Sequence, residues 1–183
     1  MRGQSHGAAV PAGPSSSVPQ PAGRPGGRPE SRSPWSLVKV AKRRKLQADA
    51  AARRSRDENL RYDQVWCVFD IDSHPNVEDA LQMARDNGIH LAISNPCFEL
   101  WLLLHLRESP GAQHRHDVQR LLGSFLPGCE KAVDFAMLKG GYRDAVGRAT
   151  RLDLEARDVD EVGRNPTTGV YRLTEAICAG PQR

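Results

Sequence analysis

Residues 62–107 read YDQVWCVFDIDSHPNVEDALQMARDNGIHLAISNPCFELWLLLHLR, and this stretch decides the fold. Gln64-Val65-Trp66-Cys67-Val68-Phe69 is rich in β-branched and aromatic residues, as a strand requires. Side chains alternate across a strand, so Val65, Cys67 and Phe69 share one face. Trp66, Val68, Asp70 and, if the strand persists, Asp72 share the other. Pro75 suits the first turn of a helix, where its missing N–H has no helical partner. Val77, Ala80, Leu81 and Ala84 follow at the spacing of one apolar helix face. Gly88 is a stop signal, because it accepts a left-handed backbone without steric cost. Residues 89–93 read as a second strand, Ser94-Asn95-Pro96 breaks it, and residues 97–107 read as a buried helix. A strand–helix–strand unit of this length predicts a parallel crossover. Ligands of open parallel sheets bind beyond the carboxyl ends of the strands. Asp70, Asp72, Ser94 and Asn95 fall at that edge, and Glu99 opens the next helix facing the same crevice.

Outward from this unit, the basic charge is uneven. Residues 1–62 carry 13 Lys/Arg against 4 Asp/Glu, a balance of +9; residues 63–183 carry 13 against 18, a balance of −5. The basic arm could contact phosphates, with the acidic core needing a metal to tolerate them; the simpler and favoured reading is a solvated, partly disordered extension. Residues 1–33 are Pro, Gly, Ser, Ala and Arg with hardly an apolar side chain. They form a tail that cannot offset its ordering entropy and is expected to be disordered. The remaining residues, 34–183, form one domain.

Ser33 can cap a helix and Pro34 can start it. From Trp35 to about Leu60 the composition favours helix, with Trp35, Val38 and Ala41 toward a sheet and residues 42–45 mostly toward water. Past the central unit, Glu108 to His116 reads as a polar loop and Asp117 to Leu126 as a helix. A short helix over 133–138 follows, then a longer one from Tyr142 to Glu155 with Ala145, Val146, Ala149 and Leu152 inward. Tyr142 and Arg143 could meet phosphate or simply open that helix. Asn165-Pro166-Thr167-Thr168 reads as a turn with Thr168 as cap. Val170, Leu173 and Ile177 then face the core from a last helix. The fold class is α/β: a small, mostly parallel sheet flanked by helices, with a helix-rich C-terminal half.

No apolar run reaches bilayer length, so no membrane association is expected. No charged n-region precedes an apolar stretch, which argues against secretion. The four cysteines form no CxxC pair and predict reduced, mostly buried thiols in a cytoplasmic protein. His114 and His116 with Cys129 are a weak zinc alternative.

Phe69-Asp70-Ile71-Asp72, the run Ser94-Asn95-Pro96-Cys97-Phe98-Glu99-Leu100-Trp101, and Asn165-Pro166-Thr167-Thr168 with Val170-Tyr171-Arg172-Leu173 together resemble the RloB-like family, from about Pro34 to Ala179. The resemblance implies a Toprim-like fold and a place in bacterial restriction and phage-defence loci. It implies that Asp70 and Asp72 match the Toprim Asp-x-Asp that holds Mg²⁺, and that Glu99 matches the family's acidic residue after the Asn-Pro turn. Asp70, Asp72 and Glu99 are thus the candidate catalytic residues, Asp70 and Asp72 the candidate metal ligands, and Ser94 and Asn95 the candidate substrate contacts. Each has a simpler reading: a strand-end turn for the Asp pair, a helix-terminus charge for Glu99, a cap for Asn95. His74 could carry protons or be a solvated loop residue, and His105 reads as buried and hydrogen-bonded. One departure stands out. The family's early catalytic Glu, on a loop after a first strand, has no match at Glu30 or Glu58. A truncated product, a misplaced start or a degenerate member would each give this pattern. The functions implied are a Mg²⁺-dependent phosphodiester enzyme acting on nucleic acid or, alternatively, a catalytically incomplete module serving a protein partner of the defence locus.

Overall fold

The computed structural model describes residues 33–71, 77–129, 132–159, 161 and 163–180. The chain enters at a helix, α1 (Pro34–Ser55), whose start is as the sequence predicts: the Ser33 side chain accepts from the Ser36 N–H and Pro34 sits in the first turn. The strand β1 (Trp66–Asp70) follows, then α2 (Val77–Asp86) and β2 (His90–Asn95). β1 and β2 pair in parallel, in a register that sets Asp70 opposite Ser94. Both predicted strands and the helix between them are present, although Asp72, His74 and Pro75 lie outside the described residues.

Three helices come next: α3 (Glu99–Leu104), α4 (Arg115–Phe125) and the single-turn α5 (Phe135–Leu138). The chain ends with α6 (Tyr142–Asp158), the two-residue strand β3 (Thr167–Thr168) and α7 (Val170–Ala179). β3 pairs antiparallel with β2, setting Ser94 opposite Thr168 and Asn95 opposite Thr167. Among the described residues the sheet is therefore three-stranded and mixed, in the order β1-β2-β3. The turn expected at 165–168 is partly a strand. Thr168 nonetheless accepts from the Val170 N–H at 3.4 Å, close to the expected capping role.

Alternation sorts the sheet's side chains into two cores. Val65, Cys67, Phe69 and Leu91 pack with Val38 and Ala41 of α1 and with Ala80, Ala84 and Ile89. Trp66 and Ala92 pack with Leu100–Leu104, Val118, Leu122, Ala145, Ala149 and Val170. Helices thus cover both faces of the sheet. All of Leu100, Trp101, Leu102, Leu103 and Leu104 are buried, because α3 is apolar all round and is enclosed by its neighbours. Each such side chain contributes about 1.5–3 kcal/mol of transfer free energy.

Cations close two helix ends. Arg148 donates to the Leu104 carbonyl at 2.7 Å, and Lys45 donates to the carbonyls of Asn87 and Gly88 at 2.8 and 3.0 Å. These bonds satisfy carbonyls that a helix C-terminus leaves without an intrahelical partner. Lys45 is therefore half-buried and employed rather than solvated. Three further expectations are corrected. α3 ends at Leu104, three residues short of Arg107. α4 begins at Arg115, two residues ahead of the predicted start. Ile177 is 68% exposed, whereas Val170 is 4% exposed, so α7 buries its first turn and leaves its last in water.

Candidate functional site

Asp70 ends β1 on the face it shares with Trp66, and it points toward α4. There Arg115 Nη2 donates to Asp70 Oδ2 at 3.0 Å, both side chains being about a quarter exposed (30% and 26%). α4 is placed by its apolar face: Val118 and Leu122 pack against α3, which turns Arg115 and Gln119 to the start of α3. At that start stands Glu99, half-buried. Gln119 Nε2 donates to Glu99 Oε1 at 2.9 Å. Asp70 is thus paired with Arg115, whose charge also acts on Glu99.

The electrostatics follow from this arrangement. Burial pushes the Glu99 carboxyl up, but the Gln119 amide, its own backbone N–H, the Cys97 thiol and the Arg115 charge together hold it below the usual carboxylate value. Cys97 goes the other way. Burial, the hydrogen bond it donates to Glu99, and the negative charges of Glu99 and Asp70 push its thiol up to about 12. It stays protonated, so it serves Glu99 as a donor and is no thiolate nucleophile.

The turn at the C-terminal side of the site is laced in by side chains. Ser94 Oγ and Thr168 Oγ1 pair at 2.9 Å in the interior. Asn95 Nδ2 donates to the Gly163 carbonyl at 2.7 Å. Asn165 Nδ2 donates to the Gln113 carbonyl at 2.8 Å, and its Oδ1 accepts from the Gln113 N–H at 3.3 Å. The last pair fixes the backbone two residues before Arg115. Both Asn–Pro bonds, 95–96 and 165–166, are cis. Ser94 and Asn95 are therefore occupied with protein partners that hold β3 in place. A substrate meeting either one would share it with that partner.

Sequence reading missed Arg115, Gln119 and Cys97. His114 hid the start of α4, because its ring accepts from the His116 N–H at 3.5 Å and it is not a residue usually sought at that position. Cys97 lay inside the quoted motif without being given a role. His105 is hydrogen-bonded as read, Nδ1 lying 2.9 Å from the Trp101 carbonyl, but it is half-buried rather than buried; that partial burial pushes its pKa down.

Among the described residues, no group of three or more His, Cys, Asp or Glu side chains is close enough to hold a metal ion. The zinc alternative at His114, His116 and Cys129 therefore finds no ligand set there. Asp70 with Glu99 nearby does fit an ion that takes one or two carboxylates and completes its shell with water and substrate oxygens, as Mg²⁺ prefers. Of the thiols expected to be buried, Cys67 and Cys97 are, Cys129 is intermediate and Cys178 is exposed. No helix among the described residues is long and apolar enough to cross a membrane.

Comparison with curated proteins returns no match, and comparison with solved structures returns none. A family model described as RloB-like protein matches residues 15–177, beginning ahead of the Pro34 boundary read from sequence. With that span covering most of its length, the chain belongs to the RloB-like family.

Proposed function

We propose that the cluster at the carboxyl ends of β1 and β2 handles phosphodiesters, and that the protein is a Mg²⁺-dependent, nuclease-like enzyme of bacterial phage defence, working on nucleic acid in the cytoplasm. The observation that carries this reading is the Asp70–Arg115 pair beside Glu99, which Gln119 of the same helix holds and on which the Arg115 charge also acts. Carboxylates beside an arginine at the ligand-binding edge of parallel strands suit a phosphate with its counter-cation. Asp70 would hold the ion, with Asp72 joining it by the family resemblance. Held there, Mg²⁺ would supply polarisation of a phosphoryl oxygen and a bound water of lowered pKa.

The chain's own residues have separable tasks. Arg115 neutralises Asp70 at rest and is placed to receive the phosphate charge. Gln119 and Cys97 keep Glu99 ionised and fixed in orientation, ready to accept a proton or to hold a water. Asn165 and Gln113 fix the start of α4 and so the reach of Arg115.

The test is Mg²⁺ titration calorimetry together with cleavage of DNA and RNA by wild type, Asp70→Asn and Asp72→Asn. Metal uptake and turnover are expected in wild type and lost in both variants. Equal behaviour of all three proteins would remove the assignment.

A second reading, a catalytically incomplete module that serves a protein of the same locus, is favoured by the Arg115–Asp70 ion pair, which already satisfies the carboxylate without a metal. It gives no Mg²⁺ uptake, no turnover, and co-purification with a neighbour-encoded protein.

A further inference from the structure

A cavity of about 820 Å³ opens at the other end of α3, between that helix, α5 and the start of α6. Its volume lies in the range of small-molecule sites, about 300–1,000 Å³. Trp101, His105 and Tyr142 converge on it. Trp101 meets His105 edge-on at 4.6 Å between centroids and Tyr142 at 6.2 Å, the planes crossing at 80° and 90°. Phe135, 67% exposed, adds a fourth ring at the rim. Lys139 and Arg143, both exposed, border the same opening.

The polar groups of this wall are sorted by their partners. The Tyr142 hydroxyl donates its proton to Glu175 Oε1 at 2.6 Å. His105 Nδ1 faces the Trp101 carbonyl, which can only accept, so Nδ1 carries the ring proton. Burial and the Arg148 charge lower the His105 pKa, which keeps the ring neutral. Nε2 is then an acceptor. The wall as a whole offers ring surface, one nitrogen acceptor and two cations at the mouth.

We infer that this cavity binds a nucleotide: a planar heteroaromatic ring against Phe135, His105 and Tyr142, over a floor that includes the buried Trp101, its phosphate against Lys139 and Arg143. A ring offers faces for stacking, an exocyclic amine can donate to Nε2, and the anion meets the rim charges. A lipid tail would leave the cations and the imidazole without a purpose, and a bare phosphate would leave the rings without one. The ligand is either a free nucleoside monophosphate or an unstacked nucleotide of a strand, whose chemistry at the pocket is the same. This inference stands apart from the reading of the acidic cluster.

The experiment uses the full chain and calorimetry, with tryptophan fluorescence in parallel. Probes are AMP, GMP, CMP and UMP, single-stranded oligonucleotides, and inorganic phosphate. Saturable binding of at least one nucleotide or oligonucleotide is expected, and binding of oligonucleotides alone would assign the strand as source. Two exposed changes probe the site without disturbing the core. Lys139→Ala with Arg143→Ala should weaken binding about tenfold, which is about 1.4 kcal/mol, and flatten its salt dependence. Ala136→Trp should block the cavity. Mononucleotide binding measured without Mg²⁺ reads this cavity alone, which separates failure here from failure of the phosphodiester reading. The inference is overturned if neither a mononucleotide nor an oligonucleotide binds at millimolar concentration, if inorganic phosphate competes as well as they do, or if Ala136→Trp binds normally.

Discussion

Removing the Thr168 hydroxyl tests whether Ser94 is a structural or a substrate-facing residue. Ser94 and Thr168 are 1% and 0% exposed, and their hydroxyls meet at 2.9 Å across the β2–β3 ladder. Thr168→Val keeps the side chain's shape and deletes the oxygen. Ser94 Oγ is then left in an interior position without that partner, and the Val170 N–H loses its 3.4 Å contact. An unsatisfied buried hydroxyl costs about 1–3 kcal/mol, whereas replacing both partners by apolar groups is close to neutral. The expected cost is therefore about 2 kcal/mol for Thr168→Val and about 1–2 kcal/mol for Ser94→Ala, with the double variant well short of the sum. At about 2–4 °C per kcal/mol for a chain of this size, Thr168→Val should lower Tm by roughly 4–8 °C. Urea denaturation of the four proteins, reading midpoint and slope, completes the cycle. Single costs below about 0.5 kcal/mol that simply add would refute the reasoning. So would a Ser94→Ala protein of undiminished stability that has lost affinity for nucleic acid.

Gly141→Ala should cost about 3 kcal/mol or more in thermal or chemical denaturation, because a Cβ there would sit 1.9 Å from the His105 carbonyl oxygen and 2.8 Å from its carbon, backbone atoms that cannot swing aside. Asp153→Asn should cost about 1–3 kcal/mol by urea midpoint, the usual cost of breaking a buried pair being reduced because the Arg172 side chain is 40% exposed; Asp153 also accepts from the Tyr171 hydroxyl at 2.9 Å, which ties α6 to α7. Gln119→Leu should shift the acid limb of stability. The depressed Glu99 carboxyl contributes stability that is present above its usual value of 4.5 and is lost as pH falls through its lower folded value. Without the Gln119 donor that folded value rises, so the loss should begin at a higher pH, as Tm against pH or a carboxyl NMR titration would record.

What could be read in advance was what local pattern encodes. Alternation over 65–70, the 77-80-81-84 spacing and Gly88 gave β1, α2 and the approach to β2, and Ser33-Pro34 gave the start of α1. The acidic members of the site were legible for the same reason: a strand end and a helix start have sequence signatures, and Asp70 and Glu99 occupy them. Arg115 and Gln119 had none. They reach the site only because α4 packs on α3, a contact between segments whose spacing says nothing about their angle. β3 was illegible because two residues cannot show a period, and its pairing depends on a strand more than seventy residues earlier. Ile177 misled because helical spacing marks which side of α7 is apolar, not how far along the helix the protein extends to cover it.

The lacing of Ser94, Asn95 and Gln113 to residues 163–168 has a consequence for the order in which the molecule is made. Each of those anchors is synthesised between 52 and 74 residues before its counterpart. A nascent chain that has already produced both acids and the arginine still lacks the piece that fixes their spacing. The site is thus completed only once residues 163–168 have been made, and a product halted shortly before residue 163 would carry every candidate side chain in an unassembled state.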